Sequence, residues 1–263
     1  MTTATTTTTT PAHELLRGRV AVVTGATAGI GEATARRLAA DGAAVALVGR
    51  RRDRLDRLAA QLREQGAHAL AVAVDVADGP AFAAAARTIR AELGRVDLVV
   101  ANAGVMLAAP FERADEAEWD RMIDLNIRGL LRTGRAFIDD LIATAAAGGR
   151  ADLVHVGSIG GHESFPNYGV YCATKAAVAH LTRNLRRELG PRNVRVKTIE
   201  PGLVPTELGD GMADAEQRAN LEQWRNSIVA LRPQDIADAI AFAVAMPPHV
   251  NVAELVVVPT QQG

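Results

Sequence analysis

Lysine is almost missing from this chain. Of 29 lysines and arginines, 27 are arginine, which leaves Lys175 and Lys197. Tyrosine is equally scarce, at Tyr168 and Tyr171, and the one cysteine is Cys172. A single cysteine can form neither an intrachain disulfide nor a thiolate metal cluster, so a reducing, cytoplasmic setting is expected, with no metal. Excess charge is absent too: 29 cations against 30 anions leave a net −1. No nucleic-acid partner and no anionic membrane surface are therefore expected. No apolar run approaches the roughly 18 residues of a membrane-crossing helix. The opening MTTATTTTTTPAHELL has neither a basic start nor an apolar stretch, so no signal peptide is expected.

What the chain does have is alternation. Residues 1–12 form a threonine-rich tail with nothing apolar to fold on, expected to be disordered. From residue 13 to 263 the pattern reads as one domain. Seven β-branched or apolar runs recur, at 19–24, 43–49, 69–75, 96–101, 152–158, 193–200 and 254–259. Between them lie stretches of helical period, such as DRLDRLAAQLREQG, which closes on Gly66. The apolar runs are nearly continuous, as in strands buried on both faces. Strand and helix in alternation predict an α/β fold of Rossmann type, a doubly wound parallel sheet of about seven strands with helices on both faces. Residues 205–231 depart from the rhythm: they are polar and irregular, and follow the end of a strand. Ligands bind at that edge of such sheets, which makes this stretch a candidate lid.

The first strand runs into Thr24-Gly25-Ala26-Thr27-Ala28-Gly29-Ile30-Gly31 and then a helix. Glycine at 25, 29 and 31 lets backbone approach a pyrophosphate at a helix N-terminus. Turn chemistry alone would also use glycines here. At the end of the second strand an NAD site calls for a carboxylate. This chain has Gly49-Arg50-Arg51-Arg52 instead, which suits a 2′-phosphate and points to NADP(H) over NAD(H). Arg50 is the first candidate for bidentate phosphate contact and Arg51 the second, the alternative being a solvated arginine turn. Asp75, closing the third strand, is placed to accept from an adenine amino group, and Asn102-Ala103-Gly104 lets backbone approach the ribose side.

At 171–175 the chain reads Tyr-Cys-Ala-Thr-Lys on a helical stretch, so Lys175 stands one turn from Tyr171. A free phenol, with a pKa of about 10, is a poor acid–base group at neutral pH. An ammonium beside it, together with an oxidised nicotinamide, is expected to lower that value. Two tyrosines and two lysines would meet this spacing by chance in roughly 2% of such chains. Ser158, at a strand end, can hold a carbonyl oxygen next to the phenol. Asn126, within a helical segment, is an unfavoured residue there, and a buried amide could carry a proton-relay water. Lys197, on a strand, needs no explanation beyond composition.

The set TGATAGIG, Asp75, NAG at 102–104, Asn126, Ser158, Tyr171-x-x-x-Lys175 and PGLVPT at 201–206 resembles the NAD(P)-dependent short-chain dehydrogenase/reductase family, over essentially the whole chain beyond the tail. The segments DRMIDLNIRGL, IEPGLVPTEL and residues 232–260 are most similar to its bacterial branch of clavulanate-pathway aldehyde reductases and serine-type 3-hydroxy-acid dehydrogenases. The resemblance implies Tyr171 as catalytic acid/base, Ser158 positioning the substrate oxygen, Lys175 tuning the phenol and binding the ribose, and Asn126 completing a tetrad. It implies cofactor contacts at Gly25, Thr27, Gly29, Ile30, Gly31, Arg50, Arg51, Asp75, Val76, Asn102, Ala103, Gly104, Tyr171, Lys175, Pro201, Gly202, Val204 and Thr206. Two positions depart from the family pattern: Ala101 replaces the first of two asparagines, and Ala28 stands where some NADP users carry a base.

The expected reaction is hydride transfer between nicotinamide and a carbonyl or alcohol carbon, most simply reduction of a small aldehyde or ketone. Oxidation of an alcohol or hydroxy acid, or a dinucleotide-binding regulator without turnover, are the alternatives. Substrate contacts are expected from Met106, Gly160, His162, Tyr168, Leu208, Met212 and Trp224; for Met106 and Trp224 plain core packing is an equal reading. The resemblance also implies a homodimer or homotetramer, built through helices near 115–143 and 169–189.

Overall fold

The computed structural model describes residues 15–262; the threonine-rich stretch lies outside them. Seven strands, β1 (Val20–Thr24), β2 (Ala44–Gly49), β3 (Ala69–Ala73), β4 (Leu98–Ala101), β5 (Asp152–Val156), β6 (Arg195–Pro201) and β7 (Glu254–Val257), form one parallel sheet in the order β3-β2-β1-β4-β5-β6-β7. All seven expected runs are strands. The strand order reverses between β1 and β4, which opens a crevice at their C-terminal ends.

Strand residues alternate between two cores. Val23, Val45, Leu47 and Val100 pack with helices α1 (Gly29–Ala40), α2 (Arg52–Glu64) and α8 (Pro233–Ala245). Val22, Ala46, Val48 and Val99 pack on the other face with α3 (Gly79–Leu93), α5 (Leu130–Ala146) and α6 (Gly169–Leu189). A side-chain period of two on strands covered twice is why the apolar runs are continuous.

Local sequence sets the helix ends. In α2 Leu55, Leu58, Ala59 and Leu62 are buried at helical spacing, and Gly66, at φ +87°, turns the chain out. Asp78 starts α3 by accepting from the Ala81 N–H at 3.0 Å, with Pro80 in the first turn. Between α4 (Glu116–Ile123) and α5 the helix widens into a π turn, Asp124–Gly129, rather than running evenly through Asn126 as its period suggests. Asn126 sits inside that turn, and Gly129 lies where a Cβ would stand 2.9 Å from Val76 Cγ2.

The lower edge of the sheet carries a buried charge cluster and corrects the reading of Lys197. Its side chain is fully buried, with Nζ on Asp152. Asp152 also accepts from Arg19 at 2.8 Å and Arg195 at 2.7 Å. Arg195 further donates to the carbonyls of Val244, Met246, Pro247 and Val250, closing the C-terminal end of α8. Burial alone would raise the Asp152 pKa, but Lys197, Arg19 and Arg195 together hold it below the usual carboxylate range.

Candidate active site

The crevice begins at the glycine loop. Gly25 and Gly29 take positive φ, +70° and +57°. A Cβ at Gly25 would lie 2.7 Å from Asn102 Nδ2, and one at Gly31 would lie 2.2 Å from the Gly25 carbonyl oxygen. These glycines exist so that two backbones and an amide can touch. Thr24 completes the seam: its Oγ1 accepts from the N–H groups of Asn102 and Ala103 at 3.0 and 3.1 Å, while Asn102 Nδ2 donates to the Thr24 carbonyl at 2.9 Å. Helix α1 starts without a side-chain cap, and Ala28, Gly29 and Ile30 line the crevice. Its free first-turn N–H groups are a ready anion site.

The resulting cavity holds about 550 Å³ and is walled by all the expected cofactor residues except Gly31, whose part is packing. Arg50 is 71% exposed at the mouth, 3.8 Å from Asp75. Asp75 Oδ1 accepts from the Ala77 N–H at 2.9 Å. Arg51 is the more organised arginine: Nη2 donates to Thr27 Oγ1 at 2.7 Å and Nη1 meets Glu207 at 2.5 Å. Arg54 meets the other oxygen of Glu207 at 2.5 Å, and the two arginines hold the Glu207 carboxyl below its usual pKa. Sequence reading missed Glu207, because its partners lie more than 150 positions away.

A smaller cavity of about 80 Å³ joins the first, and Ser158, Tyr171, Gly202, Val204 and Leu208 wall both. Of the expected substrate contacts, Met106, Gly160, Tyr168, Leu208 and Trp224 line it, together with Ile159, Phe165, Leu203, Leu221 and Arg225. Two expected contacts lie elsewhere. His162 lines neither cavity and turns its Nε2 to Glu200 at 2.6 Å. Met212 is buried beneath the cavity among apolar side chains that include Leu107 and Leu221. The segment 205–231 crosses this region as turns followed by α7 (Ala215–Ser227), and Gly209, at φ +94°, lets it close on Met106 and Leu221, which a Cβ would meet at 3.1 and 2.7 Å.

Tyr171, Ser158 and Lys175 come together at the joint. Ser158 begins a short turn by accepting from the Gly160 N–H at 3.0 Å. Burial pushes the Tyr171 phenol up to about 12, against a hydrogen bond from Ser158 that lowers it. The expected lowering by Lys175 is thus not seen in the protein alone. Lys175 Nζ stands 5.7 Å from the ring centre and donates instead to the Val156 carbonyl at 3.0 Å. Burial also brings Lys175 itself down to about 8 and, with the charge of Lys175, takes His155 to about 4. Asn126 lies behind this group: Oδ1 accepts from the Val105 N–H and Nδ2 donates to the Val105 carbonyl, both at 2.9 Å, and to Thr174 Oγ1 at 3.1 Å. With both amide hydrogens engaged, the side chain fixes the loop after β4 and leaves a water only a lone pair of Oδ1. Burial raises the Cys172 thiol, which fits a packed residue rather than a nucleophile.

A dinucleotide-sized crevice at the strand-order reversal, walled in part by Lys175 and joined to a small apolar chamber by a tyrosine and a serine, defines an oxidoreductase of Rossmann type. Residues 19–217 match the short chain dehydrogenase family, and the chain belongs to it. It is 38% identical over 245 residues to sulfoacetaldehyde reductase 2 of Chromohalobacter salexigens, covering 93% of this chain and 95% of that one. Among solved structures, the closed form of serine dehydrogenase complexed with NADP+ is 33% identical with TM-score 0.85, covering 93% and 96%. The 3-ketoacyl-(acyl-carrier-protein) reductase of Brucella melitensis complexed with NADH is 32% identical with TM-score 0.82, covering 92% and 97%. The protein is accordingly an oxidoreductase acting on CH–OH groups and their carbonyl counterparts.

Proposed function

We propose that this enzyme uses NADPH to reduce a small aldehyde or ketone. The observation that carries the reading is that Ser158 and Tyr171 wall both cavities, so a group held in either meets the same two hydroxyls. The large crevice fits the dinucleotide: Gly25 and Gly29 clear the way for its pyrophosphate, Lys175 for its ribose, and Arg50 and Arg51 for a 2′-phosphate. When bound, the nicotinamide supplies the hydride. The chain's own residues do the rest. Ser158 holds the carbonyl oxygen, and Tyr171 gives that oxygen its phenolic proton. Burial keeps the proton on the phenol of the free protein at neutral pH, the form Tyr171 needs to act as the acid in reduction. The segment 205–231 serves as lid, with Leu208 and Trp224 shedding water from the chamber. The name of the reductase relative supports a small aldehyde as substrate.

Assembly as a homodimer or homotetramer is part of this reading, supported by the exposed Ile123 and Leu131 on the α4 and α5 side. A cytoplasmic location is supported by the free Cys172. No helix among the described residues is long and apolar enough to cross a membrane.

The test is NADPH oxidation against a panel of short aldehydes and ketones. Turnover is expected, with Tyr171→Phe slower by about 10²–10⁴-fold in kcat. Tight NADPH binding with no turnover on any carbonyl would reject the enzyme reading. Arg50→Ala should weaken NADPH at least tenfold more than NADH; equal losses would reject the phosphate assignment.

A further inference from the structure

Glu207 places an anion among the arginines that the cofactor's 2′-phosphate needs. It lines the dinucleotide crevice beside Thr27, Arg50 and Arg51. The lid brings it there. A Cβ at Gly29 would lie 2.9 Å from Thr206 Cγ2, so the glycine lets the lid rest on the loop after β1, and the next residue reaches the corner between β2 and α2. Arg225, only 11% exposed, fixes the backbone on either side of Glu207: its Nη2 donates to the carbonyls of Thr206 and Leu208, both at 2.7 Å. Both carboxylate oxygens are then engaged, Oε2 by Arg51 Nη1 and Oε1 by Arg54 Nη1, each at 2.5 Å. Thr27 Oγ1 accepts from Arg51 Nε at 3.1 Å and Nη2 at 2.7 Å, so all three nitrogens of Arg51 already have an acceptor. Arg50 meets only Asp75, at 3.8 Å. A guanidinium grips a phosphate through two N–H groups at once. A 2′-phosphate therefore finds Arg50 open and Arg51 taken, beside a carboxylate of its own sign.

We propose that Glu207 competes with the 2′-phosphate of NADP(H) for Arg51, and so sets how strongly the enzyme prefers that cofactor over NAD(H). This rests on the phosphate reading of Arg50 and Arg51 above and deepens it. The carboxylate is an internal stand-in for the phosphate. Two arginines on one acid hold it below its usual pKa, so it is charged at neutral pH. With the backbone pinned by Arg225, its local concentration at Arg51 is high. The contact is nonetheless open to exchange: Arg51, Arg54 and Glu207 are between 39% and 46% exposed. Exposed pairs of this kind are weak, and a phosphate, with more charge and more acceptor oxygens, displaces the carboxylate from Arg51. Arg54, which does not line the crevice, keeps hold of it. NAD(H) carries a ribose hydroxyl in that place, has no charge with which to contest Arg51, and leaves the Glu207–Arg51 pair intact.

The test is calorimetry of NADP+ and NAD+, which differ only in the 2′-phosphate, on wild type, Glu207→Gln and Glu207→Ala. It needs no turnover and is independent of the carbonyl substrate. Both variants should bind NADP+ about three- to tenfold more tightly than wild type and NAD+ within about twofold, the NAD+ arm also showing that the variants are folded. Weaker binding of both cofactors would make Glu207 a fastening of the lid over the dinucleotide and overturn the proposal. Unchanged or weaker binding of NADP+ alone would overturn it too; there a wild type that still prefers NADP+ leaves the phosphate reading standing. Wild type and variants that all bind NADP+ and NAD+ alike would reject the phosphate reading itself, and the proposal with it.

Discussion

The two lysines lie at opposite ends of β5, Lys175 reaching from α6 to the carbonyl of Val156 and Lys197 from β6 to Asp152, and both are buried. In each, burial draws the ammonium down from its ordinary 10.5 to about 8. Their company differs. Lys197 touches a carboxylate that two arginines also share, so the cluster neutralises much of its own charge. Lys175 has a carbonyl at 3.0 Å and a phenol ring, but no acid. A buried cation with its counter-ion is a structural joint; one without is a charge held ready for something that arrives.

Breaking the joint should have the largest effect. Asp152→Ala leaves Arg19, Arg195 and Lys197 buried around no anion, and should cost about 3–5 kcal/mol in urea unfolding. Lys197→Met removes one cation of three and should be near neutral, within about 1 kcal/mol, since an apolar chain of similar length fills the space. A large loss there would contradict the view of Lys197 as one shared member of the cluster. The functional lysine should behave in the opposite sense. Lys175→Met should lower kcat/KM with NADPH about 100-fold while leaving the unfolding midpoint unchanged or raised.

Titration sharpens the contrast. Between pH 8 and 10.5 the unfolded chain holds a proton on each lysine that the folded chain lacks. Stability therefore rises with pH across that window, by linkage. Each methionine variant should flatten its own share of the slope, whereas the KM for NADPH should rise with pH through about 8 in wild type and in Lys197→Met but stay flat in Lys175→Met. The smallest effect is at the exposed Glu207: Glu207→Gln should change stability by no more than about 1 kcal/mol.

Much of this was written in the order of residues. Strands β1, β2 and β4 announce themselves as nearly unbroken apolar runs, since covering both faces removes any need for polar alternation, whereas the buried β6 carries Arg195, Lys197 and Glu200 and the edge strand β7 leaves Glu254 and Val256 exposed. Tyr171 and Lys175 are legible because one helical turn links them in sequence and in space. The partners of Lys197, Glu207 and Arg225 are not, because pairings such as Lys197 with Asp152, 45 positions apart, are made only by strand order. Asn126, inside the π turn, is hidden for a related reason: its amide pairs with the backbone of Val105 on another segment.

Residues 206–208 are tied at two points, through Glu207 to Arg51 and Arg54 at the surface, and through the Thr206 and Leu208 carbonyls to the buried Arg225. The first tie is open to ions and loosens as ionic strength rises; the second is shielded and does not. Salt should therefore unlatch one side of the segment while the other stays pinned, making it a flap that swings about Arg225 rather than a loop that comes away.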